Sequence, residues 1–346
     1  MRTILNTVGT SLLKNAAFSG KPTVPDLVRF LKMTDPKKAS AETHALRHIM
    51  REDDALVFLH SETEDGALCA QALAVYYEDK GHEVRTVLVK DLSYRETDFR
   101  LRGLRSLVGK LFACIREEKQ KGREVLINAT GGFKAEGAYA TLVGLLCNIP
   151  VYYIHEIFQE IIPMPPLPID WDYSYIAEHE EILEFLSQDL RTRFEFREQF
   201  PKIPKEIHTL LEEEENYVFL SPAGEALFQA YRTKLEQAPR IPVYFSKRAL
   251  EWYEKADTTI RENVRRILRK LLLPEVRRNG AKKLKDPRCF VYPQGHRDER
   301  VFFCEEDEKI VVCALARHSD KSYDKLLQSG LPCGKKGTLI PFTEPL

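Results

Sequence analysis

The sequence predicts an α/β protein in three parts: a doubly wound, mostly parallel sheet over residues 1–165, a small winged-helix-like connector over 166–239, and an α+β domain over 240–346. Three observations lead there. Short apolar runs alternate with amphipathic stretches through the first 165 residues. Proline-rich breaks interrupt the chain at "PMPPLPIDWD" (163–172) and "QAPRIPV" (237–243), and the charge changes sign from part to part. Residues 1–169 carry 22 Lys+Arg and 21 Asp+Glu, residues 170–239 carry 7 and 16, and residues 240–346 carry 23 and 15. A formal net charge of zero thus conceals balances of +1, −9 and +8.

In the first part, "TILNTVG" (3–9), "ALVFL" (55–59), "EVRTVLV" (83–89), "EVLIN" (124–128) and "VYYIH" (151–155) have the apolar, β-branched character of strands buried on both faces. Helical stretches separate them: Val24 to Met33, Ala41 to Arg51, Asp65 to Lys80, Phe99 to Lys121 and Phe133 to Leu146. Gly81 and Gly122 stand where a helix stop is expected. Crossovers of this length give a parallel, Rossmann-like sheet.

The connector opens with amphipathic helix over 176–196 and 205–211, and "NYVFLSPAGEALF" (216–228) reads as strand, turn and helix. Its "LLEEEENY" run is acidic, so DNA is an unlikely partner. From Val243 the pattern changes to a long basic helix or helix pair over 248–273. Strands follow at "CFVYP" (289–293), "ERVFFCEED" (299–307) and "KIVVCALARH" (309–318), the last two joined by a hairpin at Asp307 and Glu308, and then a short helix over 322–328.

Composition limits the function classes. With 43% hydrophobic and 30% charged residues the chain is an ordinary globular protein, and it contains no run of about 18 apolar residues. A soluble, cytoplasmic protein without membrane attachment is expected. The seven cysteines are scattered and include no C-x-x-C pair, so neither a disulfide framework nor a metal site is indicated; reduced thiols and no metal or cofactor are expected.

Ligands of such sheets bind beyond the carboxyl ends of the strands. That rule gathers "NTVGTSLL" (6–13), "HSETEDG" (60–66) and "NATGGFK" (128–134) on one lip. The candidate binding residues are Thr7, Gly9, Thr10, Ser11, Ser61, Glu62, Asn128, Thr130, Gly131, Gly132, Phe133 and Lys134. Glycine leaves backbone N–H groups bare for an anion over a helix N-terminus, and Lys134 adds a point charge. No G-x-G-x-x-G or G-x-x-x-x-G-K-[ST] occurs, which disfavours dinucleotides and P-loop nucleotides. The hydroxyl-rich first loop (Thr7, Gly9, Thr10, Ser11) and the T-G-G-x-K loop (Thr130, Gly131, Gly132, Lys134) resemble the CARF family, CRISPR-associated sensors of cyclic oligoadenylates. The resemblance implies a homodimer that binds cyclic oligoadenylate, with cyclic tetra-adenylate expected, as an allosteric activator. It also allows a slow ring-nuclease activity on that ligand, supported by Thr10, Ser11 and Lys134.

CARF proteins often carry a HEPN ribonuclease, but no histidine here follows an arginine at the HEPN spacing. Instead, "RVFFCEEDEKIVVCALARHSDKSYDKLL" (300–327) resembles the RelE mRNA interferases, with Arg300 opening a strand, His318 ending the next and Tyr323 in the final helix. The resemblance implies a type III CRISPR effector with a metal-independent, ribosome-dependent endoribonuclease that cuts mRNA in the ribosomal A site. The expected catalytic set is Arg300, His318, Tyr323 and Asp320, with Lys282, Lys283, Lys285 and Arg297 binding RNA. Arg300 suits charge stabilisation at phosphorus and His318 proton transfer. The sequence departs from the family where lysines are expected on the first strand, at Val291 and Pro293. The alternative is a CARF-controlled protein that binds RNA or regulates transcription without cutting.

Overall fold

The computed structural model describes all residues except 94–101, 155–159, 189, 296, 307 and 329–338. The start of the helix expected from Phe99, and His155, His296 and Asp307, lie outside the described residues. The chain forms two compact units: Met1–Ile169 with Ile182–Ala230, and Asp170–Glu181 with Tyr231–Leu346. The expected connector is therefore shared between them.

The first unit is built on a six-stranded sheet of β1 (Arg2–Val8), β2 (Ala55–Ser61), β3 (Val84–Val89), β4 (Glu124–Asn128), β5 (Val151–Ile154) and β6 (Ile161–Met164), in the order β3-β2-β1-β4-β5-β6. The first five are parallel and β6 returns antiparallel to β5. β2 is buried along its whole length, as its apolar run requires. Helices α1 (Ser11–Ala16), α2 (Val24–Met33), α3 (Pro36–Ala39) and α4 (Ala41–Ile49) lie between β1 and β2, followed by α5 (Glu64–Glu78), α6 (Leu104–Gln120) and α7 (Lys134–Cys147). Their starts are capped by side chains: Thr23 and Asp26 form a reciprocal box at α2, Ser40 and Thr43 do so at α4, and Thr63 accepts from Gly66 N–H at α5.

The connector region differs from expectation. The single helix read over 176–196 is broken into α8 (Ser174–Glu178), α9 (Glu180–Gln188), a short strand β7 (Arg191–Thr192) and α10 (Arg193–Gln199). Beyond α11 (Lys205–His208), the glutamate run forms a strand, β8 (Leu211–Glu214), paired antiparallel with β9 (Tyr217–Leu220). Glutamate has little β propensity, so pairing with the buried β9 decides this element. α12 (Pro222–Glu236) follows.

The second unit holds a sheet in the order β11-β12-β13-β14-β10-β15. Its centre is the expected antiparallel set, β12 (Cys289–Tyr292), β13 (Glu299–Glu306) and β14 (Lys309–Arg317). The edge strands β11 (Lys282–Lys283) and β15 (Ile340–Pro341) and the inner strand β10 (Val243–Phe245) are too short to carry a period. β10 pairs parallel with β14. Helices α13 (Lys247–Lys255) and α14 (Thr258–Lys270) form a pair, and α15 (Lys321–Gln328) packs Leu326 on Cys289, Phe302 and Cys313. The expectation of reduced cysteines fails at one pair: Cys289 and Cys304, directly opposite across β12 and β13, form a disulfide with Cα atoms 4.0 Å apart. Scattered positions in sequence conceal partners that register brings face to face. Among the described residues, no helix is long and apolar enough to cross a membrane.

Candidate functional site

Strand order reverses in the first sheet between β1 and β4, and the lip forms there. Asn6 pairs with Asn128 across the two strands, so the loops that follow, Gly9–Ser11 and Ala129–Phe133, leave the sheet side by side. Asn128 Nδ2 donates to Asn6 Oδ1 at 2.9 Å, and Thr7 Oγ1 donates to the Gly131 carbonyl at 2.6 Å. Three expected residues, Thr7, Asn128 and Gly131, are therefore buried braces between the loops.

Two carboxyls missed by sequence reasoning lie beneath. Glu42, fully buried, accepts the Gly9 N–H at 2.8 Å and reaches Ser11 Oγ at 3.5 Å. Glu136, 1% exposed, accepts the Phe133 N–H at 3.2 Å. Burial raises the Glu42 carboxyl despite these donors and pushes Glu136 up to about 7, with the Glu42 charge adding to the latter. The glycines follow from this packing. A Cβ on Gly131 would overlap the Glu42 carboxylate and the Thr7 carbonyl, and one on Gly132, at φ +87°, would overlap Glu136. Glu136 stands three residues after the helix-capping position Phe133, a spacing that signals its role. Glu42 has no such signal, because its partner Gly9 is 33 residues away.

Above this floor, Gly132, Phe133 and Lys134 are exposed, Phe133 by 51%, and Thr10, Ser11 and Thr130 are partly exposed. Lys134 opens α7, where bare N–H groups and the helix dipole favour an anion. Ser61 is turned inward against Thr63 Oγ1 at 2.8 Å, and Glu62 accepts the Asp91 N–H at 2.8 Å, so neither is free in this arrangement.

In the second unit, Arg300 is 3% exposed. Its guanidinium donates to the carbonyls of Gly295 at 2.8 Å, Glu299 at 3.1 Å and Arg297. It stands at the same end of the sheet as the other expected catalytic residues, since Glu299 pairs with Arg317 and the His318 N–H donates to Asp298 O at 2.6 Å. His318 is exposed and its ring lies 4.8 Å from that of half-buried Tyr323. Asp320 accepts the Arg317 N–H at 3.0 Å, a turn-forming bond. Lys282, Lys283 and Lys285 are exposed at the β11 edge. Arg297, expected on an RNA surface, is instead 10% exposed and paired with Glu181.

The first unit is thus a doubly wound α/β domain with a polar lip at its switch point. Residues 37–167 of this domain match the family model of a CRISPR-associated protein, Cas_APE2256. Among solved structures, the chain is similar to Csm6 of Enterococcus italicus bound to cyclic hexa-2′-fluoro-hexa-dAMP, at 11% identity over 54% of this chain and a TM-score of 0.32; it spans 46% of that protein. It is also similar to protein VC1899 of Vibrio cholerae, at 9% identity over 69% of this chain and 70% of that one, TM-score 0.30. A third is Can2 of Sulfobacillus thermosulfidooxidans in complex with cyclic tetra-adenylate, at 10% identity over 90% of this chain and 76% of that one, TM-score 0.25.

Proposed function

We propose that the chain is a CRISPR-associated effector whose first unit binds a cyclic oligoadenylate and whose second unit is a RelE-like, metal-independent endoribonuclease acting on ribosome-bound mRNA. The observation that carries the sensor half is the convergence of the Gly9–Ser11 and Thr130–Lys134 loops at the switch point, within a domain that matches a CRISPR-associated family. Exposed Lys134 and the α7 N-terminus meet ligand phosphates, and the Phe133 ring offers a face to an adenine. A ligand with two-fold symmetry fits a homodimer that presents two copies of this lip, one ligand per two chains.

For the effector, His318 and Tyr323 form the accessible part of the site and Arg300 its positive floor. In cleavage by a 2′-OH, His318 takes or returns a proton while the arginines stabilise charge at phosphorus. The test has two stages. Cyclic tetra-adenylate should raise the melting temperature more than the tri- or hexa-adenylate, by linkage to the native state. His318→Ala should then lower ligand-stimulated cleavage of translated mRNA by about 100-fold without changing ligand binding. Retained cleavage in that variant overturns the RelE-like assignment. One observation favours a second reading, an RNA-binding module that does not cut: Arg300 Nη1 and Nη2 already donate to backbone carbonyls. Wild-type binding of RNA under ligand with no cleavage product would establish that reading instead.

A further inference from the structure

The stretch 170–181 belongs to the second unit although the chain on either side of it, up to Ile169 and from Ile182, belongs to the first. It is seated by Tyr173, Ile176 and Ala177, 3%, 6% and 0% exposed. From this seat two carboxylates pair with cations of the second unit, and a third takes a backbone N–H of the loop that Arg300 holds. Glu180 Oε2 pairs with Lys270 Nζ at 2.8 Å, and its Oε1 accepts from Tyr231 Oη at 3.1 Å. Glu181 pairs with Arg297. Glu178 accepts the N–H of Gly295, whose carbonyl is bound by Arg300 at 2.8 Å.

This is a costly way to seat a helix. Lys270 is 3% exposed, and burial lowers its pKa against the pull of Glu180; burial likewise raises the Glu178 carboxyl. Buried ion pairs seldom outdo apolar residues of the same volume in stability. Among the described residues, Glu178 Oε2, Tyr292 Oη and Arg300 Nε are buried without a hydrogen-bond partner, so the cluster is also incompletely satisfied. Such an arrangement fits a site whose cations serve a second anion in another state. A phosphodiester presents the same forked, singly charged oxygens as a carboxylate, and arginine binds both in the same way. Arg297 is only 10% exposed and paired with Glu181, which is 47% exposed, so withdrawing that one carboxylate frees a guanidinium at the sheet end that carries His318 and Tyr323.

We infer that Lys270 and Arg297 form a phosphodiester-binding site for RNA beside the loop that Arg300 holds, occupied in this state by Glu180 and Glu181, with Glu178 on that loop, as an internal anion plug. The inference rests on the reading that the second unit acts on RNA. Because both ends of the plug continue into the sensor unit, a change there is transmitted along the chain to these carboxylates. RNA entry is then an exchange of one set of anions for another.

The test is binding of a 2′-O-methyl RNA oligonucleotide, which cannot be cut, to the full chain by fluorescence anisotropy. Glu181→Gln, half-exposed and isosteric, should bind at least fivefold more tightly than wild type, with log K falling more steeply with log salt by about one unit as one more phosphate contact forms. Arg297→Ala in the Glu181→Gln background should abolish the gain. Glu198→Gln, an exposed position on α10, removes the same charge and should leave affinity unchanged. Wild-type affinity in Glu181→Gln, or an equal gain in Glu198→Gln, overturns the plug. The ribonuclease reading fails separately: ligand without cleavage by wild type, together with the affinity gain, sinks the enzyme and leaves the plug standing.

Discussion

The lip of the first unit and the cation cluster of the second are mirror images in charge. In the lip, acids are buried and backbone N–H groups bind to them: Glu42 holds Gly9 and Glu136 holds Phe133, while the cation Lys134 faces solvent. In the second unit, a cation is buried and its guanidinium donates to backbone carbonyls: Arg300 holds Gly295, Arg297 and Glu299, while the acid Glu181 lies outermost. Each buried ionisable group shapes a loop by gathering its backbone groups. The difference is in what is left for a ligand. The lip turns Lys134 outward to solvent, whereas the second unit keeps Arg297 and Arg300 covered. On the proposed function, the lip meets its anion directly and the RNA-binding end of the second unit is uncovered only on activation.

The largest effect should come from breaking the lip's floor. Gly131→Ala forces a methyl into the Glu42 carboxylate and the Thr7 carbonyl. Overpacking and the loss of a charged hydrogen bond together should cost about 4 kcal/mol of stability, read by urea unfolding, and cyclic oligoadenylate binding should be lost. A variant as stable as wild type would show that the loops do not depend on Glu42.

The next effect is a pH dependence. The Glu136 carboxyl titrates at about 7 in the folded chain against an ordinary value of 4.5. The folded state therefore holds a proton that the unfolded state has released. Its stabilising contribution is complete below 4.5 and is lost as pH rises through about 7, on the order of 3 kcal/mol. Unfolding measured from pH 5 to pH 8 should show stability falling, and Glu136→Gln should flatten the curve and exceed wild type at pH 8. Glu42, raised in the same sense, leaves a residual slope. Equal slopes in the two proteins would remove Glu136 from the account.

The smallest effect concerns the outward charge. Lys134→Ala removes an exposed side chain with no part in the floor, so stability should not change while cyclic tetra-adenylate binding weakens about tenfold by calorimetry. Unchanged affinity would mean that the helix N-terminus and backbone alone meet the phosphates.

Much of this protein could be read from its residues in order. The central strands β1, β2 and β4, buried on both faces, appear as apolar runs, the edge strand β3 keeps the β-branched character of a strand although only Val89 is fully buried, and helices facing one side of the sheet appear as amphipathic stretches. Both signals are local, so β1 to β5 and α2 were found close to their observed bounds. The glycine loops at the lip were legible for the same reason. Tertiary structure decided what lies under them. Glu42 meets Gly9 across 33 residues and Lys270 meets Ala177 across 93, and no period or spacing encodes a partner at that distance. It also decided the glutamate run, a strand because β9 pairs with it, and the partnering of Cys289 with Cys304, set by strand register. Arg300 shows the division most clearly. Its position at the start of β13 is a matter of sequence, but its carbonyl partners on Gly295, Arg297 and Glu299 come within reach only in the folded chain, since a buried guanidinium must find acceptors wherever the fold brings them.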